Sequence, residues 1–310
     1  MSSLQETLNE YLKLRRALGY KLLDPERYLR KFLAFLASEG AEWITIELAR
    51  KWATSNPNVR PSNWAAQLRA VRLFANYRKM TDPRTEILPS KLLLHQPQRA
   101  KPYIYSHNEI AALVGTARQL ASPMGLRGMT VSTLLGLLAA TGLRSGEALK
   151  LDNSDIHIEQ AMLHIRHGKF GKTRMVPIHP STATALRAYT QLRDALHGTP
   201  VTSAFFVNIR GTRVSYDSVR NAFVRVSRQV GLRKPEDSHG PRLHDLRHTF
   251  VVRTITRWYQ EGRDIERELP KLATYLGHVH WADTYWYITS VPELMNLASD
   301  RLEKALGETS

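Results

Sequence analysis

Residues 161–178 read AMLHIRHGKFGKTRMVPI, and their rhythm differs from that of everything around them. Apolar residues alternate in AMLHIRH and again in TRMVPI, on either side of a Gly/Lys-rich GKFGK, which predicts a β-hairpin. Upstream, TVSTLLGLLAATGLRSGEALKL (130–151) has helical spacing, and downstream helices resume at about Pro180 and run to the C-terminus. Only the short FFV run and the loop RKPEDSHGPR interrupt them. This half of the chain is therefore expected to be mainly α with a small antiparallel sheet.

Working outward, Ser106 and Glu109 form a capping box ahead of the apolar run IAALV, marking a helix start. Before it, TDPRTEILPSKLLLHQPQRAKPYIYS carries four prolines and little periodicity, as a linker does. Residues before that read as four helices. LQETLNEYLKLRRALGY places Leu4, Leu8, Tyr11, Leu12 and Leu18 on one stripe, with Gly19 as a stop. ERYLRKFLAFLASEG is the second helix, the third starts at the capping residue Thr45, and SNWAAQLRAVRLFANYRKM is the fourth, capped by Ser62. The division predicted is a helical domain over 1–90, a linker over 91–105 and a second domain over 106–310.

The 310-residue chain carries 44 Lys and Arg against 28 Asp and Glu, a net charge of +16 that calls for a polyanionic partner. Residues 1–100 hold 17 basic and 9 acidic side chains, so the first third is twice as densely basic as the rest. On the fourth helix Arg69 and Arg72, followed by Arg78 and Lys79, give one face that can lie against phosphates. No secretory signal is visible in MSSLQETLNEYLKLRR, and the longest apolar run falls short of the ~20 residues that span a bilayer. A cytoplasmic protein with no membrane partner is expected. The absence of cysteine excludes disulfides, thiolate nucleophiles and Cys-ligated zinc.

Two constellations point to other chemistry and fail. RHGKFGKT resembles a phosphate-binding loop, but Arg166 stands where the first glycine belongs and a strand follows where a helix is required. In RLHDLRHTF, His244 and His248 have the i, i+4 spacing of a zinc pair, yet no glutamate follows His244 and Arg247 on the same face repels a dication. What remains is an inventory of arginines, a lysine, histidines and tyrosines. Guanidinium groups stabilise charge building on a phosphodiester's non-bridging oxygens without a metal. A deprotonated phenol attacks phosphorus, and an ammonium or imidazolium protonates the leaving hydroxyl.

ATGLRSGEALKL, HGKFGKTRMVPI, HDLRHTF and LGHVHWADTYWYI, in this order and spacing, resemble the successive boxes of the tyrosine recombinase (phage integrase) family. The resemblance covers about residues 106–300, and the helical N-terminal domain resembles the family's core-binding domain more loosely. It implies catalytic roles for Arg144, for the hairpin lysine Lys169 (with Lys172 as the competing choice), for His244 and Arg247, and for His278. Tyr287, nine residues beyond His278, takes the place of the nucleophile. Tyr285 points about 200° away from it on a helix. His280, Trp281 and Trp286 are unusual company for that tyrosine, and the stretch between Arg247 and His278 is longer and more charged than usual.

The resemblance further implies a metal-independent, cofactor-free enzyme of a bacterial nucleoid. It would cleave and rejoin double-stranded DNA through a 3′-phosphotyrosyl intermediate, as a tetramer on two sites, in the service of a mobile element. The alternative is a catalytically inactive architectural or regulatory DNA-binding protein of the same fold. The C-terminal stretch places Leu294, Leu297 and Leu302 at helix spacing, for packing on its own subunit or on a neighbour.

Overall fold

The computed structural model describes every residue except 1–2, 59–60, 94–100, 167–172, 199–201, 279–281, 291–293, 300–302 and 304–310. Its contacts separate into two compact units, Met1–Ala100 and Lys101–Ser310.

The first unit holds α1 (Leu4–Ala17), α2 (Leu23–Ser38), α3 (Ile46–Thr54) and α4 (Pro61–Lys79). Ser3 and Glu6 close a capping box on α1, and the Thr45 hydroxyl accepts from the Leu48 amide at the start of α3. Leu8, Leu29, Phe32, Leu36, Ile44, Val71 and Phe74 make the core. Three expectations need correction. Leu18 lies outside the buried stripe at 64% exposure, because α1 ends at Ala17 and Gly19 turns the chain at φ 86°. Ser62 does not cap α4, which already begins at Pro61, where proline's missing N–H costs nothing. Arg78 does not face solvent: at 3% exposure it donates to the Thr7 hydroxyl (2.6 Å) and to Asp82 (3.3 Å), so its charge is used inside the unit. Arg69 is exposed and Arg72 half-exposed, while the Lys79 ammonium donates to the Pro83 carbonyl (2.8 Å).

In the second unit, α5 (His107–Arg118) opens on the Ser106–Glu109 capping box. It packs on α6 (Leu126–Thr141), a predominantly apolar helix that α8 and α10 also cover. A helix whose apolar residues are spread around its axis belongs in the centre, and ten of its residues are buried, Thr130, Ser132 and Thr141 among them. Gly142 ends it in the left-handed region at φ 61°, and the short α7 (Ser145–Leu149) follows. Leu143, Ala148, Leu149 and Leu151 go into the core. The sheet is antiparallel in the order β1 (Ile156–His157), β2 (Met162–Ile165), β3 (Arg174–Pro177). Leu163 pairs with Val176 across β2 and β3, and period-two alternation buries Leu163, Ile165 and Val176 on one face.

After α8 (Pro180–His197), Phe205 and Phe206 are buried in a segment tied down by isolated bridges and by hydrogen bonds from the Phe205 N–H to the Leu151 carbonyl and from Arg193 to the Phe205 carbonyl. Then come α9 (Tyr216–Gln229), α10 (Asp245–Gln260), α11 (Ile265–Leu276) and α12 (Ala282–Ser290). The long charged stretch after Arg247 is most of α10 and all of α11. Its apolar residues Val252, Ile255, Trp258, Ile265, Leu269, Leu272 and Leu276 form a second core in this unit, together with Tyr287 and Leu294, and its charges lie on the outer faces. Leu294 is fully buried and Leu297 packs beside it, so this part of the C-terminal stretch packs on its own subunit; Leu302 lies outside the described residues.

Candidate active site

Four separate pieces of the second unit converge at the α6–α7 junction. Arg144 is the residue on which α7 starts, with Glu147 reaching back to its backbone N–H (3.1 Å). Its Nη1 donates to Glu147 Oε1 (2.9 Å) and lies 3.5 Å from the Leu276 carbonyl at the end of α11. Arg247, from the first turn of α10, is 2% exposed. It donates to the Gly142 carbonyl (2.7 Å), the Leu276 carbonyl (3.0 Å) and His278 Nε2 (2.8 Å). The two arginines thus meet on one carbonyl. Burial, and then the neighbouring Arg144 charge, lower Arg247 to about 10, which leaves it cationic at neutral pH.

Gly142 makes this approach possible. A Cβ built there would stand 2.5 Å from Phe250 Cδ1, and its φ is in the region that favours glycine. Its carbonyl can then point at Arg247. A guanidinium has no acceptor, so His278 Nε2 must accept and the ring proton sits on Nδ1, which donates to the Thr284 hydroxyl of α12 (2.8 Å). His278 therefore links the second arginine to the helix that carries the tyrosine.

Tyr287 lies on α12 at 4% exposure, whereas Tyr285 is 37% exposed, in keeping with their opposite directions. Its ring packs at 5.3 Å from His248 and 5.2 Å from Trp286, and the phenol is close enough to Arg247 to favour its charged form. His244, the residue just before α10, meets His248 edge to face at 4.8 Å. Burial, then the Arg247 charge, lower His244 from its ordinary value. Burial, then His244, push His248 down to about 4, so both rings are neutral at physiological pH.

Arg144, His244, Arg247, His278 and Tyr287 are brought together. Lys169, Lys172, His280 and Trp281 lie outside the described residues. Arg69, Arg72, Arg78 and Lys79 belong to the other unit. Sequence reasoning missed three participants. His248 was noticed only for its zinc spacing, yet its ring packs against both His244 and Tyr287. Thr284 gave no signal at all. Arg174, the first residue of β3, donates to both oxygens of Glu147 and to the Tyr275 carbonyl; its signal was an arginine at a half-buried position of an alternating strand. Among the described residues no group of three or more His, Cys, Asp or Glu side chains is placed to hold a metal ion.

A mainly helical unit whose guanidinium groups meet beside a tyrosine is suited to attack on a phosphodiester. The model of the phage integrase family matches residues 104–293, and the chain belongs to that family. It is 46% identical over 308 residues, 98% of both chains, to y4rB of Sinorhizobium fredii (strain NBRC 101917 / NGR234), a protein named as an integrase/recombinase. It is 29% identical to the tyrosine recombinase XerC of Pelobacter propionicus (strain DSM 2379 / NBRC 103807 / OttBd1), over 90% of this chain and 88% of that one. Among solved structures, the Tn1549 transposon integrase in complex with transposon right end DNA has the same fold. The TM-score is 0.66 at 15% identity, covering 96% of this chain and 98% of the other. Membership assigns the chain to the site-specific DNA recombinases, which break and rejoin DNA. No helix among the described residues is long and apolar enough to cross a membrane.

Proposed function

We propose that this chain is an active recombinase that cuts and reseals duplex DNA through a phosphotyrosyl intermediate at Tyr287, without a metal ion. The observation that carries the proposal is the joint anchoring of Arg144 and Arg247 on the Leu276 carbonyl, with His278 tied through Thr284 to the helix of Tyr287. Two guanidinium groups fixed before substrate arrives need little reorganisation when charge develops.

In the step proposed, the Tyr287 oxygen forms a bond to phosphorus and the bond from phosphorus to the 5′ oxygen breaks. The phenol proton passes to a neutral imidazole, for which His244 is suited because burial disfavours its cation. The 5′ oxygen takes the released electron pair and a proton from Lys169. The phosphodiester energy is kept in the 3′-phosphotyrosyl bond, so rejoining needs no nucleotide. Residues 1–90 act as the core-binding domain, joined through 91–105 to the catalytic domain over 106–310. Arg69 and Arg72 on α4 contact phosphates, with Lys79 at the end of the same helix. Assembly is a tetramer on two DNA sites, and the setting is a mobile element in a bacterial nucleoid, in line with the integrase and transposon proteins that this chain is similar to.

A duplex selected for binding from a randomised library, nicked so that the cleaved end diffuses away, tests this. The wild-type chain should form a covalent adduct in the presence of a chelator, and Tyr287→Phe and Arg247→Ala should form none. Equal adduct from Tyr287→Phe, or a requirement for added metal, would contradict the proposal. Sequence-selective binding with no adduct would favour the inactive DNA-binding alternative.

A further inference from the structure

Glu147 is buried at 8% exposure, yet its carboxylate is fully occupied. Oε1 accepts from Arg144 Nη1 (2.9 Å) and Arg174 Nη1 (3.2 Å), while Oε2 accepts from Arg174 Nη2 (2.9 Å) and the Arg144 backbone N–H (3.1 Å). Burial alone would raise this acid; the hydrogen bonds and charges of Arg174 and Arg144 outweigh it and hold the carboxylate ionised. Arg174 in turn is fixed on three sides. Its Nε donates to the Tyr275 carbonyl (2.8 Å), its fork grips Glu147, and the bare backbone of Gly277 lies against it. A Cβ at Gly277 would stand 2.7 Å from Arg174 Nη1, and the φ of +67° also favours glycine. Only 12% of the Arg174 side chain is exposed. Each of its three nitrogens has a protein partner, which holds the guanidinium in place.

We infer that Arg174 is a positioning residue that keeps the charge of Arg144 available to the scissile phosphate, by sharing the carboxylate that would otherwise neutralise it. With one carboxylate and the three guanidinium groups of Arg144, Arg174 and Arg247, the cluster carries two surplus positive charges. A phosphodiester attacked by a phenolate carries two negative charges at the pentacoordinate stage. Without Arg174, Glu147 pairs with Arg144 alone and the surplus falls to one. The inference rests on the recombinase reading above and adds to it an electrostatic role for a residue outside the catalytic set that the resemblance implies.

The experiment compares single-turnover cleavage by the wild type, Arg174→Met and Arg174→Lys on two nicked duplexes of the selected site. One has the ordinary scissile phosphate; the other has a methylphosphonate there, which removes one negative charge. Arg174→Met should slow cleavage of the phosphate by about 100-fold, the scale of losing one oxyanion partner, and of the methylphosphonate by less than about 5-fold, with DNA binding unchanged. Arg174→Lys keeps the charge but not the fork and should fall between. Equal losses on both duplexes, or no loss, would overturn the inference. If Arg174→Met does not fold, Arg174→Gln, which also removes the charge but keeps a polar side chain for Glu147, carries the same comparison, a smaller loss on the methylphosphonate being required. A wild-type chain that forms no adduct would overturn the recombinase reading itself, a different outcome from wild-type cleavage that is indifferent to Arg174.

Discussion

At the scale of the residue, burial decides which charged side chains are free to act. Arg78 and Arg69 lie on the same helix, yet one is locked to Thr7 and Asp82 and the other is exposed. Removing one partner of a buried ion pair costs about 3–5 kcal/mol, whereas an exposed arginine costs within about 0.5 kcal/mol. Arg78→Ala should therefore lower the Tm of the first unit sharply, and Arg69→Ala should leave it unchanged while weakening DNA binding. Calorimetry and a binding titration on both variants check this, and the reverse pattern would return Arg78 to the DNA face. His248 gives a pH prediction. It ionises at about 4 when folded, against 6.5 when unfolded, so the unfolded state binds the proton first. Its contribution to stability is full above pH 6.5 and is lost as pH falls from there through 4. His248→Phe should flatten the fall in Tm over that window; an unchanged slope would count against the depressed ring. None of this was legible from spacing, because helix periodicity gives the direction of a side chain and not what meets it. Arg144 with Glu147 is the exception, since a cap residue and the third residue of its helix lie within reach of each other.

At the scale of the element, the hairpin and the capping boxes could be read in the sequence because their signals are local. Alternation in MLHI and RMVP predicts strands, and Ser106 with Glu109 predicts a helix start. β1 could not be read, since a two-residue strand exists only through its pairing with β2. The same holds for the junction of α6 and α7, where the sequence displays a glycine but not the Phe250 ring against it. Gly142→Ala should both strain the left-handed backbone and push on Phe250, moving the carbonyl that Arg247 uses. The expected outcome is a loss of about 10-fold or more in single-turnover cleavage, the scale of a displaced transition-state donor, with site binding retained. Cleavage at the wild-type rate would show that Arg247 does not depend on that carbonyl. In the stretch between Arg247 and His278 the charges are conspicuous in sequence, while the buried stripe of α10 and α11 beneath them emerges only when the two helices pack.

At the scale of the whole molecule, a net charge of +16 is a property of sequence alone, and its consequence is salt dependence. Each phosphate neutralised releases counterions, so the logarithm of the DNA affinity should fall linearly with the logarithm of salt with a slope of about −0.9 per contact. A slope of several units is expected from filter binding between low and moderate salt, and a flat response would remove the polyanion from the explanation of the charge. The order of the four boxes was enough to name the family, but not to say how close its residues come. Boxes separated by more than a hundred residues meet only because α6 is buried at the centre and α7, α10 and α11 end beside it. The covalent bond itself separates one tyrosine from its neighbour two residues away. Fragmentation mass spectrometry of the peptide recovered from the nuclease-digested adduct should place the nucleotide on Tyr287, through a 3′ phosphate. A nucleotide on Tyr285, or on any other side chain, would contradict the assignment of the nucleophile.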